Sequence, residues 1–161
     1  MDTMVENTGE PVRYMERTRH YYRALGYAKD YVWAHHDDVP FAPLAKPLAD
    51  CRIALITTAN PADHSGKRQL WSAPVDPPPL RLHTATLAWD KESTHTDDRE
   101  SFLPIEAVTT LARERVIAGV VPRFHGVPTD YSQRSTTEDV APQVLERLRD
   151  DGADAAILCP L

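Results

Sequence analysis

The sequence predicts an α/β fold: a mainly parallel sheet in a three-layer sandwich of the flavodoxin or Rossmann kind, preceded by an N-terminal helix and an extended wrapping segment. Three observations carry this. Cys51-Arg-Ile-Ala-Leu-Ile-Thr-Thr-Ala59 has the near-continuous apolar character of a strand buried on both faces, as parallel strands are. Later apolar runs alternate with segments of helical period, the order that builds βαβ units with helices over the sheet. At 161 residues, 42% hydrophobic and 26% charged, the chain suits one globular domain with a continuous core.

The elements follow in order. Residues 1–9 are polar and acidic and read as a flexible N-terminus. From Glu10 to Leu25, Tyr14, Met15, Tyr21, Tyr22 and Leu25 recur among basic residues, and Gly26 supplies a stop, so an amphipathic helix is expected. Pro40, Pro43 and Pro47 forbid regular helix from Tyr27 to Asp50 and favour an extended segment lying over the domain, giving residues 10–50 as helix and wrap and 51–161 as the α/β domain. After the central strand come a long loop with Pro77-Pro-Pro79 and a weaker strand near Leu80 to Ala85. Leu103 to Arg115 places Ile105, Val108, Leu111 and Ala112 at helical spacing, with Pro104 in the first turn and Arg113 and Arg115 near the C-terminus. Val116 to Pro122 is a short strand. A third helix, regular from about Asp139, presents Val140, Val144 and Leu148, with Ser135, Thr136 or Thr137 as cap and Gly152 as stop. Ala153 to Cys159 is the last strand.

Composition excludes several function classes. The net charge is −6 with acids and bases interspersed, which is not the concentrated basic patch of a nucleic-acid surface. No apolar run approaches the roughly 18 residues of a membrane helix. No basic-then-apolar secretory leader opens the chain, so a cytoplasmic protein is expected. Cys51 and Cys159 each sit at one end of an apolar run and read as small buried thiols rather than a disulfide framework. The loop after Ala59 lacks a glycine-rich phosphate cradle, since Gly66 stands alone, which disfavours a nucleotide cofactor. No cofactor and no metal are expected. His35-His-Asp-Asp38 and His95-Thr-Asp-Asp98 carry competent ligands, but no spacing fixes a polyhedron and adjacent residues rarely bind one ion together.

Several stretches resemble the selenocysteine-containing B components of the glycine, sarcosine and betaine reductases, and above all the selenoprotein subunit of D-proline reductase. They are Phe41-Ala-Pro-Leu-Ala-Lys-Pro-Leu48 leading into Arg52-Ile-Ala-Leu-Ile-Thr-Thr-Ala59, Phe102-Leu-Pro-Ile-Glu106, Val120-Val-Pro-Arg123, and the closing Leu145-Glu-Arg-Leu-Arg-Asp-Asp-Gly-Ala-Asp-Ala-Ala-Ile-Leu158. In that family the last strand leads at once into a redox motif of selenocysteine or cysteine with a second cysteine shortly after. Aligned on it, the reactive position falls just after Leu161, so the resemblance reads the α/β domain as incomplete at its C-terminus. Either the product continues through a selenocysteine codon or a neighbouring polypeptide supplies the remainder. The implied chemistry is reductive cleavage of a carbon–nitrogen bond α to a carboxylate, with electrons from a dithiol or thioredoxin-like donor. The implied partners are a small amino-acid-like substrate and a catalytic or electron-donating subunit.

Candidate site residues follow from the rule that ligands meet parallel sheets at the carboxyl ends of the strands. Thr57 and Thr58 end the first strand and offer hydroxyls to a carboxylate. Arg123 and His125 are expected in a loop after the third strand, the guanidinium for bidentate carboxylate recognition and the imidazole for proton transfer. Tyr131 is placed to cover that loop. Cys159 is the one thiol near the reactive position, although a strand residue before Pro160 also reads as core. His95 and Asp98 precede the Phe102 segment, where they are candidates for the substrate ammonium or a subunit contact. The aromatic stripe Tyr14, Tyr21, Tyr22, Tyr27, Tyr31 and Trp33 reads as an oligomer contact, and a bare last strand adds a second, so a homo- or hetero-oligomer is expected. A non-catalytic binding or structural subunit of a hetero-oligomeric enzyme is the alternative reading.

Overall fold

The computed structural model describes residues 13–30, 32–39, 42–64, 69–87, 90–130 and 132–161, and the chain divides into two compact units, Met1–Pro40 and Phe41–Leu161. The expected flexible N-terminus and the start of the first helix at Glu10 lie outside the described residues. In the first unit, helix α1 runs Tyr14–Ala24 and stops at Gly26, whose φ of +88° a side chain would resist. No α1 residue is buried, and Tyr14 and Tyr21 are exposed. After the turn the chain folds back: Arg23 donates to both Asp30 oxygens at 2.8 and 2.5 Å, Tyr22 meets Tyr27 edge-on at 5.5 Å, and Arg19 lies 5.1 Å over the Trp33 ring.

The second unit is mixed α/β with an open, mostly parallel sheet. Strand β1, Arg52–Thr57, is its centre, and five of its six residues are buried, as its unbroken apolar run requires. On one side β1 pairs in parallel with β5, Ala155–Cys159. On the other it pairs in parallel first with β3, Gly119–Val120, and then with β4, Arg123–Gly126. The register advances from Arg52↔Gly119 to Ile56↔His125, so β3 and β4 spend two more residues than β1 over the same span, at Val121 and Pro122. A proline cannot donate to the ladder, and the strand bulges there. Strand β2, Trp71–Pro74, closes the far edge antiparallel to β4.

Three expectations are corrected here. The segment expected as loop around Trp71 is a strand. The strand expected from Leu80 to Ala85 shrinks to one antiparallel bridge, Asn60↔His83, where the two residues exchange both backbone hydrogen bonds. Arg123 and His125 likewise lie inside β4 rather than in a loop beyond the strand.

Helix α2, Ile105–Arg113, is shorter than the expected span, and Glu100 caps it by accepting from the Glu106 and Ala107 amides at 2.9 and 3.4 Å. Its Ile105 and Val108 join Ile53, Leu55, Leu103 and Phe124 in the main core, on one face of the sheet. The third helical run starts earlier than expected. Ser132, not Ser135 to Thr137, supplies the cap by accepting from the Ser135 amide, and α3, Gln133–Ser135, widens into a π-helical stretch, Thr136–Val140, before α4, Ala141–Asp150. The wider turn lies just ahead of Pro142, whose ring crowds the preceding turn of a regular α-helix. Gly152, φ +69°, ends α4 in a Schellman turn: its amide donates to the Arg149 carbonyl, and that of Ala153 to Leu148.

Candidate functional site

Three parallel strands bring their carboxyl ends together at one edge. Thr57 is fully buried, and its hydroxyl accepts from the Ala59 amide at 3.2 Å, which turns the chain at the strand end. Thr58 Oγ1 accepts from the Leu161 amide at 2.8 Å and faces the Leu161 carbonyl at 3.4 Å. Cys159, paired with Thr57 in the ladder, is a half-buried free thiol, and burial pushes it above the ordinary thiol range. Among the described residues its one sulfur hydrogen bond goes to the Ile157 carbonyl at 3.9 Å, and no described donor or cation holds a thiolate there. Trp71 closes the β2 side of this edge. Its indole donates to the Ala59 carbonyl at 3.1 Å and lies against Gly126 so closely that a Cβ there would sit 1.8 Å from Nε1.

The second concentration of chemistry is a polar chain between β2, β4 and α4. Strand alternation sends Phe124 into the main core and His125 and Arg123 to the opposite face, and the antiparallel register sets Ser72 beside His125. On α4, Arg147 and Asp151 stand four residues apart and so share the side that meets this face. Asp151 accepts from Arg123 Nε at 2.9 Å to each oxygen and from His125 Nε2 at 3.0 Å. A carboxylate can only accept, so the His125 proton is on Nε2. His125 Nδ1 then accepts from the Ser72 hydroxyl at 2.8 Å, and Ser72 accepts from Arg147 Nη1 at 2.9 Å. Every link has a donor and an acceptor.

The electrostatics keep the ring neutral. His125 is fully buried, and burial pushes its pKa below the ordinary value; the Arg123 and Arg147 cations push the same way, against Asp151. Asp151 caps the C-terminal end of α4, where the helix dipole disfavours a negative charge. Arg123 compensates: its ion pair with a nearly buried carboxylate raises an already high pKa. The Arg123 charge is therefore paired, and both nitrogens of His125 are engaged, Nε2 by Asp151 and Nδ1 by Ser72.

The other candidates do not join either group. His95 is exposed, with its nearest acid Asp97 at 4.0 Å, and Asp98 caps the 3₁₀ turn Arg99–Ser101 by accepting from the Glu100 amide. Tyr131 lies outside the described residues. His35 pairs with Asp37 at 3.0 Å on the surface, and among the described residues no group of three or more His, Cys, Asp or Glu could hold a metal ion. No described helix is long and apolar enough to cross a membrane. Sequence reasoning passed over Ser72, Arg147 and Asp151. One local signal was available, an acidic pair, Asp150-Asp151, at a helix end where bases are expected. Comparison with family models, curated proteins and solved structures finds no match.

Proposed function

We propose that this chain is a component of a selenoprotein-type amino-acid reductase that cleaves a carbon–nitrogen bond α to a carboxylate with thiol-derived electrons. The observation that carries the reading is the tie between Leu161 and Thr58, which holds the segment after β5 against the carboxyl end of β1. A chalcogen nucleophile following that segment would work at the edge where parallel sheets meet their ligands. In the net reaction the carbon–nitrogen bond breaks, carbon and nitrogen each take up a proton, and a dithiol is oxidised to a disulfide as it supplies two electrons. The raised Cys159 thiol is the wrong group for the nucleophile, which favours assigning that role to the redox motif of the resembled family. The fold belongs with this reading as a three-layer sandwich of flavodoxin or Rossmann type, supported by α2 on one face of β4 and α4 against the other. A cytoplasmic site and a homo- or hetero-oligomer complete it, the latter supported by the outer edge of β5, unpaired among the described residues, and by the exposure of Ile157 and Leu158.

The alternative, a non-catalytic binding subunit, is favoured by the same Cys159: no thiol of the chain is poised to react. One experiment separates them. The chain is isolated in its native assembly and given a dithiol with a panel of amino and N-methylated carboxylates. Amine release matching dithiol oxidation is expected. An assembly that consumes no dithiol and releases no amine overturns the reductase reading and leaves the binding subunit.

A further inference from the structure

We infer that Arg147 and Ser72 form a binding site for a small carboxylate on the α4 side of β2 and β4. The inference rests on the reductase reading for the choice of a carboxylate among monoanions, and it names the residues that hold it. Two guanidinium groups reach the polar chain and their situations differ. The Arg123 charge is paired with Asp151, to which its single Nε–H donates, shared between the two carboxylate oxygens. Arg147 is half-buried, and among the described residues its side chain has no carboxylate partner and only one hydrogen bond, to Ser72 Oγ at 2.9 Å. A guanidinium offers five N–H donors, so most of its donors remain available. A half-buried cation without a counter-ion is costly, and a bound anion relieves that cost.

Position and charge point the same way. Ser72 pairs with His125, one residue short of Gly126 where β4 ends, so the pair lies near the carboxyl end of β4. Arg147 contributes one unmatched positive charge, which suits a monoanion and the planar fork of a carboxylate. His125 stands behind as the group that senses occupancy. Four groups face it: Asp151 and Arg147 from α4, Arg123 from its own strand and Ser72 from β2. A carboxylate on Arg147 cancels one of the two cations that disfavour imidazolium, so binding raises the His125 pKa and draws in protons. With Nδ1 protonated, the Ser72 hydroxyl turns its own proton to the ligand.

The test uses the full chain with histidine ring nitrogens labelled, titrated by NMR with acetate and glycine and, as controls, acetamide and glycinamide. The two carboxylates are expected to bind saturably and to raise the His125 pKa, while the amides do neither. Arg147→Gln is expected to weaken carboxylate binding about tenfold or more. Arg147→Lys, which keeps the charge but not the fork, should recover part of it, and the exposed Arg149→Gln should bind as the unaltered chain does. If Arg147→Gln does not fold, the His125 titration in the unaltered chain decides alone. A His125 pKa indifferent to saturating carboxylate, or binding that survives Arg147→Gln, overturns the site while leaving the reductase reading standing. Carboxylate binding at Arg147 in an assembly that cleaves no carbon–nitrogen bond overturns that reading and leaves the site.

Discussion

Replacing Asp151 by alanine isolates the energetics of the polar chain. The carboxylate is 7% exposed and serves two donors of different character, His125 at 0% exposure and Arg123 at 41%. Without it the His125 Nε2–H is left buried with no acceptor, at a cost of about 1–3 kcal/mol. Arg123 can turn to water, so the lost ion pair adds only about 0.5–1 kcal/mol. Removing an acid from a helix C-terminus returns about 0.3–1 kcal/mol. The expected net loss is about 2 kcal/mol. Asp151→Asn keeps an acceptor for His125 while giving up the charge opposite Arg123, and should lose about half as much. The assay is reversible denaturant unfolding with the slope held equal between variants, so that midpoint differences report stability rather than a changed unfolded state. A loss below about 0.5 kcal/mol in Asp151→Ala, or a larger loss in Asp151→Asn than in Asp151→Ala, refutes the view that a buried imidazole depends on this carboxylate.

Three further outcomes are expected. Because burial lowers the folded-state pKa of His125 beneath its ordinary 6.5, the native state resists protonation; its contribution is complete above pH 6.5 and falls as the pH drops below that, by up to about 1.4 kcal/mol per unit. Unfolding free energy measured from pH 7.5 to 5.5 should show a slope that His125→Gln removes, and equal slopes would refute the assignment. Gly126→Ala should cost about 3 kcal/mol, since the added methyl meets the Trp71 indole, and should alter tryptophan emission; an unchanged melting curve would mean that Trp71 moves freely. Leu158→Glu, at an exposed position of the edge strand, should weaken self-association or partner binding at least tenfold by light scattering, whereas unaltered association would move the contact away from β5.

How far the sequence reveals this arrangement depends on the range of the interactions involved. β1 was legible because an unbroken apolar run has one stable place in an α/β domain, and α2 and β5 were legible because period and stop residues lie within each segment. β2 was not: Trp71-Ser-Ala-Pro74 has one strong strand former in four residues and becomes a strand only through the antiparallel partner far along the chain. β4 was hidden for another reason. Pro122 read as a terminus, whereas the sheet absorbs it in a two-residue bulge and continues, and Arg-Phe-His then carries the period-2 alternation of a strand with one polar face. That shift in reading moves Arg123 and His125 from an open loop into a buried chain. Ser72 and His125 are 53 positions apart, and His125 and Asp151 are 26 apart, so no local pattern joins them. The acid at the end of α4 is the exception. A charge of the wrong sign for its helix, next to a glycine stop, needs a cation from elsewhere in the fold, and Arg123 provides it. The consequence reaches the proposed site. With the Arg123 charge spent on the helix end, Arg147 is the guanidinium of this polar chain left with charge to offer a ligand.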